Sequence, residues 1–406
     1  MMLRRKGGAL KRRYPITFGR TGTVASMRLG VLGGSFNPIH YGHIAIAQAA
    51  MAEAGLSQIL LMVAADPPHK QVAGGVQPAI RLEMARLAEQ AYPALQACSL
   101  ELERQGKSYT ADTAQALHSL YPDREICWLI GGDMLLTLEN WHDPKRLLNS
   151  LHFLVAGRPD SPGLELAAQR LRERYGARIT LLQAQGPDIS SSRIRQKVQE
   201  GLPIETDTCS TVVQYIYEQG LYLPPEVGRI VAQLRRELDP KRFRHTMGVA
   251  RAAALLAQAH GVDPGQARLA ALLHDCAKGN TQALAEAYGA QVADMAPPIR
   301  HAPVGAIHAR NAYGVQDPAI LQAIARHTVC GPNMTALDKV IYLADKIEPG
   351  RTYGSVAAIR KAAERSLDEG MLACIHQTAA YLQQQGETLH PATLAARDEI
   401  QNQVRG

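Results

Sequence analysis

Gly33-Gly34-Ser35-Phe36-Asn37-Pro38-Ile39-His40-Tyr41-Gly42-His43 is the stretch that decides the fold. It follows a short apolar run, Arg28-Leu29-Gly30-Val31-Leu32, and precedes Ile44-Ala45-Ile46-Ala47-Gln48-Ala49-Ala50. The first run reads as a strand and the second as a helix. Two glycines therefore leave a strand, and two histidines three apart open a helix. Glycine lets backbone approach a ligand closely, and a helix N-terminus attracts phosphate. Histidines placed there can donate hydrogen bonds to a triphosphate, so the local chemistry points to attack on a nucleotide phosphate.

Outward from this point, residues 27 to about 222 alternate strand-like and helix-like segments. Strands are expected at Arg28–Leu32, Gln58–Val63, Ile126–Ile130, His152–Ala156 and Arg178–Leu182, with helices between them such as Ile80–Glu89 and Thr110–Leu120. Such alternation predicts an α/β doubly wound parallel sheet, Rossmann-like, with helices on both faces. Ligands of such sheets bind at the carboxyl ends of the strands, where the glycine–histidine segment falls. The punctuated stretch Leu221-Tyr222-Leu223-Pro224-Pro225-Glu226 marks a boundary. Beyond about 228 no strand is expected. Arg242–His260, Pro264–Ala277, Pro318–His327 and Thr335–Ile347 read as helices of an all-α domain. The expected organisation is a basic extension over 1–26, an α/β domain over 27–222, a linker over 223–228 and a helical domain over 229–406.

Length and charge are consistent with this division. A chain of 406 residues exceeds one average core. Its net charge of +7 comes from the N-terminal segment: Arg4, Arg5, Lys6, Lys11, Arg12, Arg13 and Arg20 stand there without an acid. Removing those seven from the 44 basic residues leaves 37, equal to the 37 acids. The remainder offers no basic face for nucleic acid, and no stretch is apolar enough for a membrane span. Met27 directly precedes the first strand, so residues 1–26 are expected to be a disordered extension or an unused upstream start. The six cysteines include no C-x-x-C pair. They read as buried, reduced thiols, which suggests a cytoplasmic protein.

A second phosphate-binding segment is Ile189-Ser190-Ser191-Ser192-Arg193-Ile194-Arg195. Its serines cap a helix whose N–H groups can face an anion, and Arg195 offers a bidentate fork. Together with Gly33–His43 it suggests a triphosphate clamp. The first segment matches the G-G-x-F-x-P-x-H-x-G-H pattern of nucleotidyltransferases. From Met27 to about Tyr222 the chain resembles bacterial nicotinate mononucleotide adenylyltransferases. The resemblance extends to Pro67-Pro68-His69-Lys70, Ser108-Tyr109-Thr110-Ala111-Asp112-Thr113, Gly131-Gly132-Asp133, Asn140-Trp141-His142 and Gly157-Arg158-Pro159. It implies transfer of AMP from ATP to nicotinate mononucleotide, with Mg2+ on the ATP phosphates. It also implies catalytic roles for His40 and His43 at those phosphates. Gly33, Gly34, Ser35 and Phe36 would form the nucleotide loop, and Ser191 and Arg195 would hold the β- and γ-phosphates. Asp133 would take the ATP ribose. On the mononucleotide, Lys70 would meet the phosphate, Trp141 the pyridine ring and Thr110 the carboxylate.

The helical half carries His245, His274, Asp275, His301, His327 and Asp345, several of them within apolar helices. Buried polar groups there need partners, which a metal supplies, and imidazole with carboxylate suits iron, manganese or zinc better than calcium. Their order is that of an HD phosphohydrolase. The neighbourhoods Arg242–Thr246, His274–Gly279, His301-Ala302, Arg326–Thr328 and Ala344–Arg351 resemble HD-domain symmetrical diadenosine tetraphosphate hydrolases. This resemblance covers about 229 to 395 and implies cleavage to two ADP at a dinuclear centre, with iron as the expected metal. His245, His274, Asp275 and Asp345 would hold one ion; His301 and His327 would hold the other, with Asp275 bridging and catalytic. Lys278 and Arg351 are candidates for the polyphosphate. His308 lies seven residues beyond His301 and is left out of the set. Two alternatives stand beside this reading: a different HD nucleotide phosphohydrolase, or a non-catalytic module that senses a nucleotide and regulates the transferase. The expected partners are ATP, nicotinate mononucleotide and diadenosine tetraphosphate, without nucleic acid or membrane. Homo-oligomerisation is left open.

Overall fold

The computed structural model describes residues 27–65, 73–104, 106–157, 163–184 and 186–405. The sheet-bearing half runs β1 Arg28–Gly34, α1 Tyr41–Ala54, β2 Ile59–Val63, α2 Pro78–Ala91, β3 Leu95–Cys98, α3 Thr110–Leu120 and β4 Glu125–Gly131. It continues through α4 Gly132–Thr137, α5 Pro144–Ser150, β5 His152–Ala156, α6 Leu164–Tyr175, β6 Arg178–Leu182, α7 Ser191–Glu200 and α8 Ser210–Gln219. The six strands are parallel, in the order β3-β2-β1-β4-β5-β6. The chain therefore winds outward from β1 to β3 and returns to place β4 on the other side of β1. That reversal opens a crevice at the carboxyl ends of β1 and β4.

Alternation with period two explains why the strands read as continuous apolar runs. Leu29, Val31, Leu60, Met62, Trp128, Ile130, Phe153 and Val155 fill the core on one face. Leu32, Ile59, Leu61, Val63, Cys127, Leu129, Leu154 and Ala156 fill the core on the other. Every strand expected from the sequence is present. The extra strand, β3, has only four residues at the sheet edge, and its two middle residues are half-buried. So short and partly exposed a segment carries little periodic signal.

The helical half comprises α9 Pro225–Glu237, α10 Pro240–Ala259, α11 Pro264–Leu273, α12 Thr281–Tyr288, α13 His301–Tyr313 and α14 Pro318–Arg326. It closes with α15 Ala336–Ile347, α16 Val356–Arg365, α17 Leu367–Gln384 and α18 Pro391–Arg405. No strand occurs in it among the described residues. Two boundaries differ from expectation. Residues 225–228 are already helical, because Pro225 is well tolerated at a helix start, so the loop between the halves is short. α11 stops at Leu273, which leaves His274 and Asp275 in a tight turn.

The halves share one apolar core, continuous from the β1 face to α18. Polar ties fix the seam. Arg268 Nη1 donates to the carbonyls of Val198 at 2.7 Å and Gln199 at 3.2 Å, closing the C-terminal end of α7. Arg251 Nε donates to Glu205 at 2.7 Å, and Arg235 donates to the Glu218 carbonyl. The basic N-terminal segment of residues 1–26 lies outside the described residues. All six cysteines are buried and free. Among the described residues no helix is long and apolar enough to cross a membrane.

Candidate active sites

A cavity of about 620 Å³ opens where β1 and β4 part. Gly33, Gly34 and Ser35 floor it, with His40 and His43 from the start of α1 and Ser190, Ser191 and Ser192 from the start of α7. Asp133, Thr110 and Trp141 line it too. These eleven residues, all from stretches singled out in the sequence, thus meet in one space, at two convergent helix N-termini that favour an anion.

Local chemistry sets these positions. Ser190 Oγ caps α7 by accepting from Arg193 N–H at 3.3 Å. Ser191 Oγ donates to the Pro38 carbonyl at 2.9 Å, which ties the two phosphate segments together. A Cβ on Gly42 would stand 2.9 Å from the His40 ring and 3.2 Å from the Ile189 carbonyl, so only glycine lets the segments close. The rings of His40 and His43 lie with centroids 3.7 Å apart. Burial pulls the His40 imidazole down to about 4, against the opposing pull of Asp207. His40 is therefore neutral at physiological pH. The His40 backbone N–H donates to His43 Nδ1 at 3.3 Å. That bond places the proton of a neutral His43 on Nε2.

Two expected residues fall elsewhere. Phe36 is fully buried beneath the loop, its ring 5.0 Å from that of His43. Arg195 does not line the cavity. Its guanidinium donates to the Asn37 carbonyl at 2.8 Å and to Ser192 Oγ at 3.2 Å, so here it braces the histidine loop. Lys70 lies outside the described residues, as do Pro67, Pro68, His69, Arg158 and Pro159. Sequence reasoning missed Arg81. It is wholly buried, and it donates to the carbonyls of Ser35 at 2.8 Å and Ala65 at 3.2 Å, pinning the loop from below. An arginine on an amphipathic helix gives no sequence signal of that role.

In the helical half all six expected donors converge. His245 Nε2 is 3.1 Å from Asp345 Oδ1, which is 4.0 Å from His274 Nε2. His274 Nε2 is 3.6 Å from Asp275 Oδ2. On the other side of the same carboxylate, Asp275 Oδ1 lies 3.1 Å from His301 Nε2 and 3.5 Å from His327 Nε2. His245, His274 and Asp275 form one group able to hold an ion; Asp275, His301 and His327 form another, with Asp275 shared. His308 stays apart, 2.8 Å from the Tyr288 hydroxyl.

These donors fit a metal centre in their details. His274 Nδ1 lies 2.6 Å from the Ala271 carbonyl and His327 Nδ1 lies 2.7 Å from that of Ile324. With the proton on Nδ1, each Nε2 lone pair faces the centre, as a ligating imidazole requires. His245 Nε2, His274 Nε2 and Asp275 Oδ1 are buried without a hydrogen-bond partner. Unsatisfied donors and acceptors are costly in such a place, and cations would satisfy them. Burial drives His274 down to about 4, so its imidazole is neutral, the form a metal requires. Burial would raise the Asp275 carboxyl, but His274, His301, His327 and Lys278 hold it far below the usual range, as an anion.

The surroundings are cationic. Arg242 Nη1 is 2.7 Å from Asp275 Oδ2 and Lys278 Nζ is 3.3 Å from the same carboxylate. Arg351 Nη2 is 2.9 Å from Asp345 Oδ1. Lys278 and Arg351, the two cations singled out from the sequence, thus each pair with a carboxylate of the donor cluster. Arg242 and Glu348 escaped sequence reasoning. Glu348 Oε1 lies 3.3 Å from His245 Nδ1, opposite the ligating nitrogen, and so orients that ring. Spacing held a usable signal: Arg242 stands three residues before His245, and Glu348 three after Asp345.

A further donor group, Glu125, Cys127 and His152, lies at the opposite end of the sheet. Arg28 at 2.8 Å and Arg178 at 2.7 Å already neutralise Glu125, and burial pushes the Cys127 thiol up to about 11. It is an ion-pair cluster of the strand starts.

Residues 31–197 match the Cytidylyltransferase-like family and residues 242–350 match the HD domain. A protein of Synechococcus sp. (strain JA-3-3Ab) named "Probable nicotinate-nucleotide adenylyltransferase" is 36% identical over 198 residues, 49% of this chain and 96% of its own. One of the same name from Gloeobacter violaceus is 40% identical over 200 residues, covering 49% of this chain and 97% of its own. A crystal structure from Clostridium acetobutylicum, described as a predicted HD superfamily hydrolase involved in NAD metabolism, is 34% identical. It spans 44% of this chain and 97% of its own, with a TM-score of 0.41.

Proposed function

By its N-terminal half the chain belongs to the nicotinate-nucleotide adenylyltransferase family, and on that premise we propose a bifunctional enzyme. The sheet-bearing half, over 27–222, transfers AMP from ATP to nicotinate mononucleotide and releases nicotinate adenine dinucleotide and pyrophosphate. The helical half, over 229–406, hydrolyses diadenosine tetraphosphate symmetrically to two ADP.

The first assignment rests on the histidine pair beneath two helix N-termini. A phosphate oxygen of the mononucleotide attacks the α-phosphorus of ATP; the bond to the bridging oxygen breaks, and pyrophosphate leaves with the electron pair. The attacking oxygen is already an anion, so no strong base is needed. The site must align two anions and stabilise charge on the transferring group. His43 Nε2–H donates to the α-phosphate. Neutral His40 and the N–H groups of α1 and α7 hold the rest of the triphosphate with Ser191. Arg195, which braces the histidine loop through the Asn37 carbonyl, would turn to the β- and γ-phosphates. Asp133 receives the ribose hydroxyls, Trp141 the pyridine ring, Thr110 its carboxylate and Lys70 the mononucleotide phosphate. Mg2+ would rely on substrate oxygens, which suits a cavity whose acids are only Glu101 and Asp133.

The second assignment rests on Asp275 shared between two donor groups. Nitrogen and oxygen donors of this kind suit iron, and a metal pair would polarise a phosphoryl oxygen and activate water. Arg242, Lys278 and Arg351 neutralise the polyphosphate, and Glu348 keeps His245 oriented. The six buried thiols fit a reducing cytoplasm. The test is product analysis on the full chain. Nicotinate mononucleotide with ATP should yield dinucleotide and pyrophosphate, and diadenosine tetraphosphate should yield ADP alone. AMP with ATP from the second substrate would refute symmetric cleavage; no pyrophosphate from the first would refute the transferase.

A further inference from the structure

The hydrolase centre opens into a second cavity of about 620 Å³ at the seam between the halves. One end is cationic: Arg242, Arg244 and Arg351 lie beside His245 and Glu348. α8 supplies Gln214, Tyr217 and Glu218 to the lining. α8 packs against α2 of the sheet-bearing half on one side and against α10 on the other. Arg235 donates to the Glu218 carbonyl at the end of α8 and holds it there.

Lys241, Arg251 and Asp239 line the cavity too, with Arg251 held by Glu205 at 2.7 Å. The end near the metal donors attracts phosphate. The α8 wall offers a carboxylate, an amide and a phenol, which disfavour phosphate and suit hydroxyl and heterocyclic N–H donors. Gln214 Nε2 donates to Glu218 Oε1 at 2.8 Å, which fixes that carboxylate and leaves its second oxygen for another donor. A ligand with a polyphosphate at one end and an uncharged polyol at the other matches both walls, and the volume lies in the range of small-molecule sites. We infer that the transferase half completes the hydrolase site: Glu218, positioned by Gln214, binds the ribose hydroxyls of the distal nucleoside of a dinucleoside polyphosphate. This rests on the proposed hydrolase reading and adds a specificity determinant on the other half of the chain.

The test uses the full chain, wild type and Glu218→Ala, with Gln214→Ala as a second variant. Hydrogen bonds to a charged acceptor are worth enough to change affinity about tenfold or more. KM for diadenosine tetraphosphate should rise about tenfold in Glu218→Ala and less in Gln214→Ala, with kcat within about twofold. Inhibition by inorganic tripolyphosphate, which has no ribose, should be unchanged. Calorimetric affinity for diadenosine tetraphosphate should fall by the same factor whether or not turnover follows. If the wild type makes no ADP yet this affinity falls, the hydrolase reading fails and the subsite stands. An unchanged KM and affinity would overturn the subsite alone. Equal weakening of tripolyphosphate would show a merely structural role and overturn it too.

Discussion

Replacing His43 by asparagine separates the scaffold role of that ring from its proposed chemistry. In the structure His43 Nδ1 accepts the His40 backbone N–H at 3.3 Å, which closes the start of α1. The asparagine carboxamide oxygen can occupy the Nδ1 position and keep that bond. It cannot reach where Nε2–H stands. A lost helix-start bond would cost about 0.5–2 kcal/mol; retention should leave stability within about 0.5 kcal/mol. Loss of one preorganised donor to the transferring phosphoryl group should lower kcat by about 10²–10³, or about 3–4 kcal/mol of transition-state stabilisation. His43→Gln restores a donor near the Nε2 position and should recover about tenfold of that loss. The assays are pyrophosphate release with ATP and nicotinate mononucleotide, and chemical denaturation of each variant. A folded His43→Asn protein with more than about a tenth of wild-type kcat would refute the reasoning. Equal losses in the asparagine and glutamine variants would refute the placement of the proton on Nε2.

Other expectations follow from the same geometry. Gly42→Ala places a methyl 2.9 Å from the His40 ring; it should depress dinucleotide synthesis at least tenfold and leave diadenosine tetraphosphate hydrolysis unchanged, measured on one preparation. His40 has a folded value of about 4 against 6.5 unfolded. Between those values the unfolded chain binds the extra proton, so this group's contribution falls as pH drops from about 6.5 to 4, by about 3 kcal/mol in all. Denaturation of His40→Gln across that window should show a shallower loss than wild type, and identical slopes would contradict the buried neutral ring. Asp275→Asn should remove most bound transition metal by mass spectrometry and abolish ADP formation; full metal retention would contradict the shared-carboxylate arrangement. Chelation followed by Mg2+ alone should restore pyrophosphate release and not hydrolysis, and recovery of both would contradict a separate transition-metal centre.

Much of the first site was legible because its parts are contiguous. Gly33 to His43 is one turn between β1 and α1, and its chemistry is local to that turn. The metal donors were legible for another reason. Histidine and aspartate in apolar helices are conspicuous, so the set could be named although its members span Asp345 back to His245. Residues that act through distant backbone were hidden. Arg81 looks like a surface arginine of α2 until tertiary packing brings Ser35 and Ala65 to it. Glu348 reaches a ring 103 residues away. β3 was lost because a four-residue edge strand lacks a period. The bond from the Arg195 guanidinium to the Asn37 carbonyl, 158 residues back, was equally invisible. The seam cavity could not be read at all, since its walls come from α8, α10 and the segment after α15.

Two chemistries at separate centres in one chain is the claim everything else serves, and a crossed comparison of two single variants tests it most directly. His43→Asn and Asp275→Asn are each assayed for pyrophosphate release from ATP with nicotinate mononucleotide and for ADP release from diadenosine tetraphosphate. The account predicts that His43→Asn loses the first and keeps the second, and that Asp275→Asn does the reverse. A folded variant that loses both activities, or either variant that loses neither, would contradict it.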